Sequence, residues 1–83
     1  MDNILVEMYL PAIRRYYDIY IPLHLKLHEV EPLIQSAFSE LSDGYYAPSK
    51  DMVLYDRATD QVLDINMSAM ELGLCNGSRL MLI

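Results

Sequence analysis

The sequence predicts an α+β domain in which one main helix lies across one face of a mixed sheet. Three observations carry that prediction. Two runs of strand formers open the chain, the first closed by Pro11 and the second by Pro22. One segment alone, about Glu29 to Leu41, repeats its apolar residues at helical spacing. After it come short strand-like runs between turn residues, the last of them Arg79-Leu80-Met81-Leu82-Ile83.

In the first run, Asn3 to Leu10, the even positions Ile4, Val6, Met8 and Leu10 are all apolar, while Asn3, Leu5, Glu7 and Tyr9 are mixed. Successive strand residues point to opposite faces, so this is the pattern of a strand with one buried side. The second run, Tyr16 to Ile21, sets Tyr17, Ile19 and Ile21 on its apolar side. Joined by a short turn region at Arg14-Arg15, the two predict a hairpin.

In the helical segment, a rotation of about 100° per residue gathers Leu33, Ala37, Val30, Leu41, Ile34 and Phe38 within an arc of about 140°. Glu29, Glu31, Gln35, Ser36, Ser39 and Glu40 fall outside it. Glu29 and Glu31 suit the positive end of the helix dipole. Pro32 further in would remove a ladder bond and clash with the preceding turn, so the helix is predicted to begin no earlier than about His28. Ser42-Asp43-Gly44 supplies the stop.

Beyond the loop at Tyr45 to Ser49, Met52-Val53-Leu54-Tyr55 predicts a short strand and Gln61-Val62-Leu63-Asp64 a brief return strand, with Asp56 to Asp60 turning between them. Ser68 to Leu74 predicts a single helical turn that packs Met70, Leu72 or Leu74 inward. Asn76-Gly77 makes a tight turn into the last strand. The order β-β-α-β-β-turn-β, with the first and last strands central and the second flanking the first, is that of the ubiquitin-like β-grasp.

The 83 residues carry 12 acidic and 6 basic side chains, a net charge of −6. They allow one domain, 1–83. The negative charge disfavours nucleic acid and anionic lipid surfaces and favours a basic patch on a partner, or serves solubility alone. No apolar run approaches the ~18 residues of a membrane span, and Met1-Asp2-Asn3 lacks a basic leader, so direct membrane insertion is not expected and a cytoplasmic location is. A single cysteine, Cys75, permits no internal disulfide.

The stretch Tyr17-Asp18-Ile19-Tyr20-Ile21-Pro22, the helix through Val30, Leu33, Ile34 and Leu41, and the C-terminal Leu72-Gly73-Leu74-Cys75-Asn76-Gly77-Ser78-Arg79-Leu80 together resemble the YukD/EsaB proteins of bacterial type VII (WXG-type) secretion. The resemblance spans nearly the whole chain. It implies a cytoplasmic, non-catalytic, protein-binding accessory or regulator whose partner is a protein, the membrane ATPase or another membrane component of the secretion machinery. The sequence closes on Leu80-Met81-Leu82-Ile83 without the terminal Gly-Gly of a conjugated modifier. A bulky isoleucine held in a sheet could not reach an activating enzyme, so conjugation is not expected. The alternative is a structural module that forms a homodimer or larger homo-oligomer in an unrelated cytoplasmic scaffold role.

No catalytic constellation is legible, and no metal or cofactor is expected. His24 and His28 are four apart, a metal spacing only on one helix, yet the helix is predicted to begin at or after His28 and no third ligand joins them. Asp56, Asp60 and Asp64 lack the glycine and closing glutamate of a calcium loop and suit turns instead. Cys75 has no nearby histidine, and Gly44, Gly73 and Gly77 form no phosphate-binding motif.

Binding therefore falls to the sheet. If the apolar side of the first strand faces the helix, alternation turns Leu5, Tyr9, Tyr16, Tyr20, Met81 and Ile83 to the opposite face. Tyrosine and methionine are enriched in interface cores, which makes these six the candidate protein-binding group. The competing account is that tyrosine on an open face is simply a good strand former.

Overall fold

The computed structural model describes residues 2–83. Alternation in the opening segment builds β1 (Asn3–Leu10), whose four even residues are all buried. A tight loop at Pro11 to Arg14, with Arg14 at φ 53°, turns the chain into β2 (Arg15–Pro22). There follow α1 (Leu27–Leu41), β3 (Leu54–Asp56), β4 (Gln61–Val62) and β5 (Arg79–Leu82). The strands lie in one five-stranded sheet in the order β2-β1-β5-β3-β4. The β1–β5 pair is parallel and the other three pairs are antiparallel. This is the predicted α+β, ubiquitin-like β-grasp, with β1 and β5 adjacent at its centre.

The core lies between the sheet and α1. Val6, Met8 and Leu10 of β1 and Leu80 and Leu82 of β5 meet Leu27, Val30, Ile34 and Phe38 of the helix, all of them buried. Each such side chain contributes roughly 1.5–3 kcal/mol through removal from water.

Four expectations about the helix are corrected. It begins at Leu27, ahead of His28, because its first amides are bonded by a distant loop: Leu27 N–H donates to Met67 O and His28 N–H to Ile65 O, each at 3.0 Å. No side-chain cap is needed, since carbonyls from another segment satisfy the orphan donors. Pro32 consequently lies beyond the first turn, inside the helix. Leu33 and Leu41, placed in the apolar arc by hydropathy, are exposed, Leu33 at 58%. Gln35, placed outside that arc, is buried at 9%. The helix is rolled toward the loop that follows it. Gln35 Nε2 donates to Ser49 O at 2.9 Å, and its Oε1 accepts from Ser49 N–H at 2.6 Å. Tyr46 packs edge-on against Phe38 with ring centroids 6.0 Å apart.

The predicted stop is a Schellman-type end, with Gly44 N–H bonded to Ser39 O and Asp43 N–H to Glu40 O. The two predicted short strands are shorter still. Ser68 to Leu74 holds the predicted single turn, closed by Leu72 N–H donating to Ser68 O at 3.0 Å; Ser68 Oγ accepts from Glu71 N–H, and Glu71 Oε1 accepts from Ser68 N–H. Leu74 points inward, Leu72 is half-buried and Met70 is exposed.

Candidate functional site

The strand register decides what the open face of the sheet presents. Tyr16 of β2 pairs with Tyr9 of β1, Tyr9 with Met81 of β5, Met81 with Tyr55 of β3, and Tyr55 with Val62 of β4. Partners across a ladder project from the same face. Five side chains, three of them tyrosines, therefore form one row that crosses the whole sheet on the side away from the helix. The Tyr9 and Tyr16 rings are 4.5 Å apart, centroid to centroid. Tyr16 is 60% exposed and Val62 is also exposed, whereas Tyr9, Met81 and Tyr55 are half-buried by one another.

All six residues expected on this face are there, and they are not one patch. Tyr9, Tyr16 and Met81 belong to the row. Ile83 is next to it, past the end of β5, where Ile83 and Val53 exchange N–H···O bonds of 2.9 and 3.0 Å. Leu5 and Tyr20 pair with each other four residues along β1 from Tyr9, about 13 Å away at strand spacing. Between the two groups runs a charged row: Asp18 pairs with Glu7, and Glu7 with Arg79.

Arg57, which sequence reading left in a turn, lies flat across this charged row at 20% side-chain exposure. Its Nη2 is 2.5 Å from Glu7 Oε1, its Nε donates to Leu80 O at 3.0 Å, and its guanidinium sits 5.2 Å from the Tyr16 ring centroid. Such a contact over an aromatic face contributes about 0.5–1 kcal/mol at a partly wet site. The arginine thereby fixes the tilt of Tyr16 and neutralises Glu7. Tyr55 and Val62 also escaped the sequence reading. Tyr55 could have been found, because Leu54 had to face the core and its neighbour must then face out. Val62 needed the register.

The remaining residues singled out in the sequence stay apart. His24 Nε2 lies 3.2 Å from Asp2 Oδ2, before the helix, while His28 stands in the first helical turn. Asp56 and Asp64 each accept an N–H two residues on, from Ala58 and Asn66, at 2.9 Å. Those are turn contacts. Cys75 is exposed. Among the described residues, no group of three or more His, Cys, Asp or Glu side chains is placed to hold a metal ion, and no helix is long and apolar enough to cross a membrane.

No family model matches the sequence, and no curated protein matches it. Solved structures match throughout its length. The ubiquitin-like domain of the Mycobacterium tuberculosis type VII secretion system protein ECCD1 superposes with a TM-score of 0.79 at 16% identity, covering 100% of this chain and 99% of that one. The EccD5 ubiquitin-like domain from Mycobacterium xenopi gives 0.69 at 16% identity, covering 100% and 94%. A chain of the toluene 4-monooxygenase HD complex gives 0.77 at 12% identity, covering 98% and 96%. The fold is ubiquitin-like. Its appearance in secretion and monooxygenase assemblies alike shows that the shape alone does not choose a function.

Proposed function

We propose that this chain is a non-catalytic, cytoplasmic, protein-binding accessory of a type VII secretion system, of the YukD/EsaB kind, and that it engages its partner through the tyrosine row of the open sheet face. The observation that carries this reading is the row itself: Tyr16, Tyr9, Met81, Tyr55 and Val62 in register across five strands. Tyrosine and methionine supply large contact area at small entropic loss, and such residues concentrate where proteins dock. The likeness to the ubiquitin-like domains of two type VII secretion components supports the setting. The partner in this reading is a protein of the secretion machinery, its membrane ATPase or a companion membrane component. Leu5 and Tyr20, beyond the charged row, form a second, smaller contact.

The test is affinity capture from detergent-solubilised host cells, with Met81→Glu, Tyr20→Glu and the double variant compared with the native chain. Recovery of the secretion ATPase or its membrane partners, lost with Met81→Glu and weakened with Tyr20→Glu, is the expected result. Unchanged recovery by a folded double variant removes the open face from consideration. Recovery of the chain alone, with a sedimentation coefficient that rises with concentration, favours the homo-oligomeric module.

A further inference from the structure

The charges of the open face are ordered. Asp18 of β2 pairs with Glu7 of β1, and Glu7 with Arg79 of β5. Glu7 is matched by Arg57. Asp18 and Arg79 are exposed, and neither belongs to an ion pair among the described residues. The row therefore runs from a free carboxylate, through a neutral pair on the central strand, to a free guanidinium. The two free charges stand two strands apart, roughly 10 Å at sheet spacing.

A face with this order fits a second copy of itself, and the charges choose the arrangement. A two-fold axis laid across the strands, over this row, would set Asp18 on Asp18 and Arg79 on Arg79, and like charges repel. An axis laid along β1, between the two faces, exchanges the flanking strands instead. Asp18 of each copy then meets Arg79 of the other, and the contact is made twice. The neighbouring rows match under the same rotation. Tyr16 meets Met81, a sulfur–aromatic contact, while Tyr9 and Leu5, both on the axis strand, meet their own copies. Tyr20, 72% exposed, meets Gly77. That glycine lies beside Leu5, its N–H donating to the Leu5 carbonyl at 2.8 Å, and it has no side chain to oppose the ring. Two sheets packed face to face keep their strands within about 30° of each other, so pairs this close to the axis stay in reach.

We propose that two copies of this chain pair through their open faces about a two-fold axis along β1, with reciprocal Asp18–Arg79 contacts setting the register. Three strands about 4.8 Å apart and about seven residues long present roughly 350 Å² each, under half of the ~800 Å² per side of a stable interface. The dimer is therefore weak, with a Kd on the order of 0.1–1 mM. It covers the surface assigned above to the partner protein, so the two uses exclude each other and a partner with a larger interface displaces the second copy. The pairing needs only the purified chain, so it stands or falls separately from the secretion role.

The test is a dilution series of isotope-labelled protein from about 1 mM, followed by two-dimensional NMR and sedimentation equilibrium. Concentration-dependent shifts at Tyr9, Tyr16, Asp18 and Arg79 are expected. Asp18→Arg and Arg79→Asp, both at exposed positions, should each weaken association about tenfold, since two pairs per dimer turn repulsive. An equimolar mixture of these two variants should associate as the native chain does, and so should the double variant. Glu40→Arg, on the exposed side of α1, makes the same change of net charge as Asp18→Arg and should leave association unaltered. Any of three results overturns the proposal: no concentration dependence up to the highest concentration, shifts centred on α1, or single variants that stay weakened when mixed. Loss of affinity capture with this dimer intact would instead remove the secretion role and leave the pairing in place.

Discussion

Arg57 and Glu7, fifty positions apart, meet across the open face with Nη2 2.5 Å from Oε1, and the same guanidinium bonds the Leu80 carbonyl and covers the Tyr16 ring. Its contribution is therefore more than an ion pair. Arg57→Ala should lower stability by about 1–2 kcal/mol, since a backbone acceptor and an aromatic contact are lost with the charge. Glu7→Gln should cost less than about 1 kcal/mol, as expected of a half-exposed pair. Urea midpoints at constant m-value decide between them.

The roll of α1 reverses the ranking that hydropathy suggests. Gln35→Ala should destabilise by about 1–3 kcal/mol, because the Ser49 N–H and carbonyl lose their partner in a half-dry setting. Leu33→Ser should change stability by less than about 0.5 kcal/mol, being a surface substitution. Thermal melts of the two variants give the order directly.

Pro32 withholds from the helix the N–H that would bond the His28 carbonyl, four residues back. Pro32→Ala restores that donor while freeing the unfolded chain, two effects of opposite sign. The ladder bond and relief of the ring clash dominate, and a gain of about 1–2 kcal/mol is expected in chemical denaturation.

Two glutamates should shift stability with pH in opposite senses. The Ser68 backbone N–H and hydroxyl, and then Lys26, hold the Glu71 carboxyl below the ordinary carboxylate range. Its contribution is present above the unfolded-state value and fades as pH falls through the lower folded value. Burial pushes Glu31 up, only partly offset by His28. Ionised Glu31 therefore opposes folding above its raised value, and that cost disappears on acidification. Relative to the native chain, Glu71→Gln should be less stable at neutral pH and Glu31→Gln more stable. Both differences should shrink toward zero below the carboxylate range in melts recorded at stepped pH.

How far the sequence spoke depends on the range of the interaction involved. Alternation in β1 and bounded runs of strand formers in β2 and β5 made these strands legible, and the face each residue takes followed because side-chain direction in a strand is local. The tyrosines were found for that reason. Contacts made at a distance were not legible. Leu27 starts the helix because carbonyls of Ile65 and Met67 reach it, and Gln35 is buried because Ser49 returns to it. The same limit divided the candidate face: the charged row separating Tyr20 from Tyr9 exists only once β1, β2 and β5 are set in register.

The parallel β1–β5 pairing at the centre of the sheet has a consequence for synthesis. Leu5 is bonded to Asn76 across 71 residues, so during synthesis the β1–β2 hairpin and α1 are made before β5 exists. The apolar side of β1 can be covered by the helix at once, but one side of its backbone stays unpaired until the last strand is made. Closing so long a loop is slow. The central strand of the finished sheet is therefore an open edge until β5 is available, and folding of this domain is completed only after synthesis has passed β5.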